Sequence, residues 1–277
     1  MTTAAPDLRD FSGRIVVVGA GKMGGALLEG WLRFGLDPKA VAVLEPQPAP
    51  PIAALEQRGA QINPGIGTLT SIDAIVVAVK PQMATEALPA LATMIGPSTV
   101  VVSIMAGRTL QSISGALKRP CAVVRAMPNT PAAIGRGITV AVAQNASTAQ
   151  RNLAHRLLSA TGTVEWVDDE ALMDAVTAVS GSGPAYVFLL AEALAEAGIA
   201  AGLPPALAAK LARETVAGSG ELLHRETRDA ATLRENVTSP GGTTAAALEV
   251  LMGNDGLAAL MKIAVAAATR RSHELAG

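Results

Sequence analysis

The sequence predicts an α/β fold. A doubly wound parallel sheet is expected over residues 1–168, followed by an all-helical domain over residues 169–277. Three observations carry this. Short apolar runs alternate with amphipathic ones through the first half, the pattern of successive βαβ units. A glycine-rich turn joins the first apolar run to the first amphipathic one. From about Asp169 onward no strand-like run recurs, and the remaining segments have the length and punctuation of helices.

Taken in order, residues 14–19 read as a short apolar strand and Lys22 to Phe34 as an amphipathic helix stopped by Gly35. Val41 to Glu45 is a second strand, and Pro50 to Arg58 is helical up to Gly59. Ala74 to Val79 is a continuous apolar run, as in a strand covered on both faces. Val100 to Ile104 and Ala122 to Arg125 are of the same kind, with a short helix, Thr109 to Leu117, between them. Ile138 to Ala143 adds a strand and Ala149 to Ala160 a helix. Four helices are expected after that: Ala185 to Ala201, Pro205 to His224, Ala245 to Met252 and Leu257 to His273. Ala185 to Ala201 is apolar nearly all round, with Glu192 and Glu196 as its charged positions. Such a helix is usually buried, and the helical part is too short to bury it alone. A homodimer at minimum is therefore expected.

Composition narrows the function. Half of the 277 residues are hydrophobic and 2% are aromatic, so the core is built from aliphatic side chains. A net charge of −1 without a basic block offers no stripe for nucleic acid. The single cysteine, Cys121, excludes an internal disulfide and reads as a small buried hydrophobe, not a nucleophile. His155, His224 and His273 lack metal-ligand spacing, so no metal is expected. The uncharged runs Ala87 to Gly107 and Ala175 to Ala191 are broken by Pro89, Gly96 and Pro97 and by Ser180-Gly-Ser-Gly-Pro184, unlike a membrane span of ~20 apolar residues. Met1 to Arg14 has no signal-peptide pattern. The expectation is a soluble, cytoplasmic protein.

Gly19-Ala20-Gly21-Lys22-Met23-Gly24 is a G-x-G-x-x-G arrangement in the context it requires, strand before and helix after. Gly19 permits the tight turn, Gly21 lets backbone approach a pyrophosphate, and Gly24 lets helix and strand pack closely. Residues 1–168 are thus expected to form a Rossmann-type dinucleotide-binding domain. Glu45 ends the second strand, where an acid takes the adenine ribose hydroxyls of NAD and repels the 2′-phosphate of NADP. No Arg or Lys in Pro46 to Ile52 offsets it. The expected cofactor is NAD(P)H, with NADH favoured. Ala78-Val79-Lys80-Pro81 closes the strand over 74–79 at the edge where ligands bind; Lys80 is a candidate cofactor contact or a solvated lysine. Met127-Pro128-Asn129-Thr130-Pro131 also follows a strand, and either lines the nicotinamide crevice or is a stiff turn.

Ser239-Pro240-Gly241-Gly242-Thr243-Thr244 reads as a helix start built to hold an anion. Ser239 suits the N-cap and Pro240 the first helical position. The two glycines leave backbone N–H groups uncovered for a carboxylate or phosphate. Ser180-Gly-Ser-Gly-Pro184 reads as a second glycine-rich helix start, with Ser182 or Gly183 near the cap.

Five ordered motifs now stand together: Val18-Gly-Ala-Gly21-Lys-Met-Gly24, Val79-Lys-Pro-Gln82, Arg125-Ala-Met-Pro-Asn-Thr-Pro131, Ser180-Gly-Ser-Gly-Pro-Ala-Tyr186 and Val237-Thr-Ser-Pro-Gly-Gly-Thr-Thr244. On these the chain resembles pyrroline-5-carboxylate reductase, from Ile15 to about Arg271. The resemblance implies reduction of 1-pyrroline-5-carboxylate to L-proline with NAD(P)H. It also implies a Rossmann domain followed by an all-helical dimerisation domain, an active site shared between two subunits, and an assembly of dimers. It places the substrate carboxylate on Ser239 and the backbone of Gly242 and Thr243, beside Gly241. Thr244, the candidate catalytic residue, would hydrogen-bond the ring nitrogen. Asn236 and Glu170 match positions that touch cofactor or site across the dimer, and Ala78, Lys80 and Pro81 match cofactor-lining positions. Two departures, Glu45 and the loop Asn63-Pro64-Gly65, bear on NADPH use and not on the reaction.

The implied chemistry agrees with what the chain lacks. A protonated cyclic imine accepts hydride without an enzyme acid, so no His/Asp pair or metal cluster is needed. Holding the acceptor carbon ~3–3.5 Å from the nicotinamide is the main task. A β-hydroxyacid dehydrogenase would instead need a catalytic lysine on a helix of the second domain. Lys210 and Lys262 are the only lysines after Lys118, and neither lies in a glycine-rich motif. A non-catalytic nucleotide sensor would have no use for Ser239 to Thr244. Tyr186, the sole tyrosine, reads as helix packing.

Overall fold

The computed structural model describes residues 6–276. Its first part runs β1 (Ile15–Val18), α1 (Lys22–Arg33), β2 (Val41–Leu44), α2 (Pro50–Ala53), β3 (Gln61–Ile62), β4 (Ala74–Val77), α3 (Ala84–Leu91), β5 (Val100–Ser103), α4 (Leu110–Leu117), β6 (Ala122–Met127), β7 (Gly137–Gln144), α5 (Thr148–Leu158) and β8 (Gly162–Trp166). The eight strands form one sheet in the order β3-β2-β1-β4-β5-β6-β7-β8. Every pairing is parallel except β6 with β7. The strand expected over 138–143 therefore runs against its neighbour, and the sheet is mixed.

β1, β4 and β5 are buried along their whole length, which is why they read as unbroken apolar runs. Helices cover both faces. Leu27, Leu28 and Trp31 of α1 and Leu157 and Leu158 of α5 pack on one face; Leu88 and Leu91 of α3 and Ile113 and Leu117 of α4 pack on the other. Trp31 is fully buried, and its indole Nε1 donates to the Leu157 carbonyl at 2.7 Å, satisfying the one polar atom of the ring. Trp166 at the end of β8 donates to His155 Nδ1 at 3.2 Å, and the Arg151 guanidinium lies 4.5 Å from its ring centre.

The rest is helical: α6 (Met173–Val176), α7 (Gly183–Ala200), α8 (Pro205–Arg225), α9 (Ala230–Asn236), α10 (Thr243–Leu251) and α11 (Leu257–Ala276). The described residues up to Gly181, with those from Thr269 on, make one compact unit; Ser182–Ala268 make the other. The expected boundary at 168/169 falls between β8 and that edge. Within the first unit, the Ser272 hydroxyl donates to Asp174 Oδ1 at 2.7 Å and pins the last turns of α11.

Two helix starts differ from expectation. Thr177–Gly181 is π-helical and lies between α6 and α7, so Ser180-Gly-Ser-Gly-Pro184 is a widened turn inside a helical stretch and not a start after a loop. Ser182 flanks α7 with helical angles. The helix expected to begin at Ser239 begins at Thr243 instead, capped by Gly242. Gly241 takes a left-handed φ of +66°, and Gly242 N–H closes a turn onto the Ser239 carbonyl at 3.0 Å, which delays the helix by one turn. The helix α9 adds to the four expected; Asp229 caps it by accepting from Thr232 N–H at 2.7 Å.

The second unit has almost no interior of its own. Its buried residues are Ala208 and Ala212, whereas Phe188 is 68% exposed, Ile263 67% and Val250 76%. The stretch Glu170–Ala200 is by length and composition long and apolar enough to cross a bilayer.

Candidate active site

The carboxyl ends of the parallel strands form one edge of the first unit, and the side on which successive strands are added reverses at β1, which lies between β2 and β4. Ligands of such sheets bind at that switch point. The fingerprint loop stands there, and each glycine meets its expected constraint. Gly19 has φ +89°, and a Cβ on it would sit 2.9 Å from the Ala78 carbonyl and the Val79 nitrogen. A Cβ on Gly24 would overlap the Gly19 carbonyl oxygen. A Cβ on Gly21 would meet nothing within 4 Å, so this glycine faces open space. Gly21 is also the N-cap of α1 and supplies no side-chain acceptor, so the first N–H groups of α1 point at that space. Lys22 is exposed and Met23 half-buried beside it. This cradle fits the pyrophosphate of a dinucleotide.

Glu45 lies next to the loop. Its Oε2 accepts from Ala20 N–H at 2.9 Å and its Oε1 from Gln47 N–H at 3.2 Å. Asn63 holds the Glu45 backbone from both sides: its Oδ1 accepts from Glu45 N–H at 2.8 Å and its Nδ2 donates to the Glu45 carbonyl at 2.9 Å. The loop Asn63-Pro64-Gly65 thus serves as a clamp on Glu45. Ala78 and Val79 leave β4 half-buried, Lys80 is exposed, and Pro81 opens a short 3₁₀ turn. Arg108 Nη2 donates to the Pro81 carbonyl at 2.8 Å.

Met127 ends β6 half-buried, followed by buried Pro128 and half-buried Asn129. Asn129 Oδ1 accepts from Ile138 N–H at 3.0 Å, which fixes the exit of the strand. Glu170 turns onto Arg125 and the start of α4. Ser180 Oγ is buried without a partner.

In the second unit, Asn236 ends α9 and is exposed. Ser239 and Gly241 are exposed, and Gly242, Thr243 and Thr244 open α10. No side chain caps α10, in contrast to α4, α5 and α9, which are closed by Thr109, Ser147 and Asp229. Its leading N–H groups remain available to an anion. Among the described residues no cluster of His, Cys, Asp and Glu could hold a metal ion.

A glycine-cradled helix start on a doubly wound sheet, followed by a helical unit without a core, defines a dinucleotide-dependent oxidoreductase that completes itself by association. Comparison with known proteins agrees. Residues 170–275 match the family model described as pyrroline-5-carboxylate reductase dimerisation, and residues 14–107 match the one described as NADP oxidoreductase, coenzyme F420-dependent. Pyrroline-5-carboxylate reductase of Pseudomonas aeruginosa is 39% identical over 272 residues, spanning 95% of this chain and 97% of that protein. The enzyme of Synechocystis is 47% identical over 205 residues, spanning 73% of this chain and 75% of the other. The solved structure of a pyrroline-5-carboxylate reductase from Coxiella burnetii superposes with a TM-score of 0.88 at 33% identity, over 96% of this chain and 99% of that one. The chain belongs to the pyrroline-5-carboxylate reductase family.

Proposed function

We infer that the chain reduces the C=N bond of 1-pyrroline-5-carboxylate to give L-proline with NAD(P)H, the last step of proline biosynthesis. The observation that carries this beyond family membership is the start of α10: a glycine-capped helix end with unclaimed N–H donors and two threonine hydroxyls, suited to one carboxylate and one ring nitrogen.

In this reading Gly19, Gly21, Lys22, Met23 and Gly24 hold the pyrophosphate, with Ala78, Val79, Lys80 and Pro81 along the same edge. Met127, Pro128 and Asn129 form the wall toward the nicotinamide. The bound cofactor supplies the hydride. Ser239, Gly241, Gly242 and Thr243 anchor the substrate carboxylate, and Thr244 fixes the ring nitrogen and so the face offered to hydride. Asn236 stands at the rim of that loop. The imine nitrogen arrives protonated, so the residues position the reactants and transfer no proton in the hydride step.

Glu45 favours NADH. Its carboxylate is tied to Ala20 and Gln47 beside the fingerprint loop, its backbone is clamped by Asn63, and no cation stands in Pro46 to Ile52. A 2′-phosphate brought there meets like charge. The exposed apolar faces of α7, α8, α10 and α11 support a homodimer, and the resemblance extends this to an assembly of dimers. That coverage also accounts for the apolar stretch Glu170–Ala200, and we read the enzyme as cytoplasmic.

Spectrophotometry with pyrroline-5-carboxylate and each reduced cofactor tests the reading. Oxidation of NADH or NADPH with formation of proline is expected; oxidation of neither overturns it.

A further inference from the structure

Glu170 opens the helical stretch that follows β8. A single oxygen of its carboxylate, Oε1, accepts from two donors: the Leu110 N–H at 2.8 Å and Arg125 Nη1 at 2.8 Å. The side chain of Arg125 is 6% exposed and that of Glu170 28%. Leu110 is the first residue of α4 and ends the loop that leaves the carboxyl end of β5. Arg125 sits on β6, two residues before Met127, so the two side chains leave the strand on the same face. The position of this bridge is informative. The register of β5 and β6 ends at the pair Ser103–Arg125. Beyond that pair no backbone ladder sets the gap between the two strand exits, and there Glu170 joins them. One strand over, Arg108 from the same loop donates to the Pro81 carbonyl. Two side chains therefore tie the exits of β4, β5 and β6 into one edge. Met127 is held from a second side as well, since a Cβ on Gly181 would overlap its terminal methyl.

We propose that Glu170 is a positioning residue for hydride transfer. Through Oε1 it holds the loop after β5 and the end of β6 at one spacing, so that Met127, Pro128 and Asn129 present a fixed wall to the nicotinamide. This rests on the reading that those three residues line the nicotinamide side of the crevice. Charge is not what the bridge needs at α4. It needs one sp² oxygen able to take two hydrogen bonds, which a glutamine also offers.

The test compares steady-state kcat and both KM values in the full-length enzyme. Glu170→Ala is expected to lower kcat about tenfold with both KM values little changed, and Glu170→Gln to recover most of that loss, because the amide oxygen replaces Oε1. Leu110→Pro removes the other half of the bridge without stranding a buried charge. Proline is tolerated at the first helical position, and Thr109 before it is already extended, with ψ 158°. This variant is expected to keep its circular dichroism spectrum while kcat falls about tenfold and the substrate KM changes little, the signature of lost alignment and not of lost binding. A tenfold fall in Glu170→Gln would overturn the proposal in favour of direct contact or a charge effect. Wild-type kcat in folded Leu110→Pro would overturn it too. Asn129→Ala separates the underlying reading: unchanged cofactor KM and kcat there would remove the nicotinamide wall itself, whatever the Glu170 variants show.

Discussion

The carboxylate of Glu45 accepts a hydrogen bond from the backbone N–H of Ala20 at 2.9 Å, which ties the end of β2 to the middle of the fingerprint loop. A residue expected only to meet the ribose is therefore also part of the loop's own architecture. Substituting it changes two things at once: the charge met by an incoming cofactor and the anchoring of the loop.

Glu45→Ser is expected to shift the ratio of kcat/KM for NADPH over NADH upward by at least tenfold, about 1.4 kcal/mol. Both values are measured on one preparation. An unchanged ratio would show that Glu45 does not face the 2′ position.

Thr244→Ala should lower kcat at least tenfold and leave the cofactor KM nearly as it is, since the hydroxyl belongs to the substrate loop. Equal turnover by the two proteins would remove Thr244 from the site.

Gly19→Ala forces a side chain into a left-handed position 2.9 Å from the Ala78 carbonyl. A left-handed residue with a Cβ costs roughly 1–2 kcal/mol before any clash is counted. The cofactor Kd, measured by fluorescence titration, is expected to rise about tenfold or more. A wild-type Kd would mean that the loop is not the pyrophosphate cradle.

Phe188→Glu together with Val250→Glu puts charge on apolar positions of α7 and α10. Sedimentation velocity should show a shift toward monomer, and thermal unfolding of the wild type should depend on protein concentration, as it must when association supplies the burial. A compact wild-type monomer with concentration-independent unfolding would contradict the dimer.

Burial raises the pKa of the Cys121 thiol above its usual value, with Arg119 opposing more weakly. A raised pKa keeps the thiol protonated at neutral pH, and the thiolate is the reactive form. Iodoacetamide at pH 7 should label it slowly and leave activity intact; rapid labelling with loss of activity would reopen a role for it.

The central strands were legible because strands buried on both faces leave no polar residue to interrupt them, as in Ile15–Val18 and Val100–Ser103. Strand direction leaves no such mark, so the reversal at β7 was hidden. Gln61–Ile62 is too short to show a period, and Gly162–Trp166 carries a charge at Glu165 on a half-exposed strand. The widened turn at Thr177–Gly181 departs from α-helical spacing over only five residues, too few for apolar periodicity to register. α10 starts later than the strong local signal of Ser239-Pro240 suggests because the left-handed Gly241 overrides it. The fingerprint glycines were readable because their constraints are local. The partner of Glu170 was not, since Arg125 lies 45 residues away and only the packed sheet brings the two together.

Both tryptophans, Trp31 and Trp166, belong to the nucleotide-binding unit, one sealed in its core and one stacked beneath Arg151. From Ser182 onward the chain contains none; its aromatics are Tyr186 and Phe188. Intrinsic tryptophan emission therefore follows the sheet unit alone, while the far-ultraviolet dichroism draws heavily on the long helices α7, α8 and α11. The two optical signals form a built-in pair of reporters. Recorded on one denaturation series, they separate melting of the nucleotide unit from unfolding of the helical one, with no label attached.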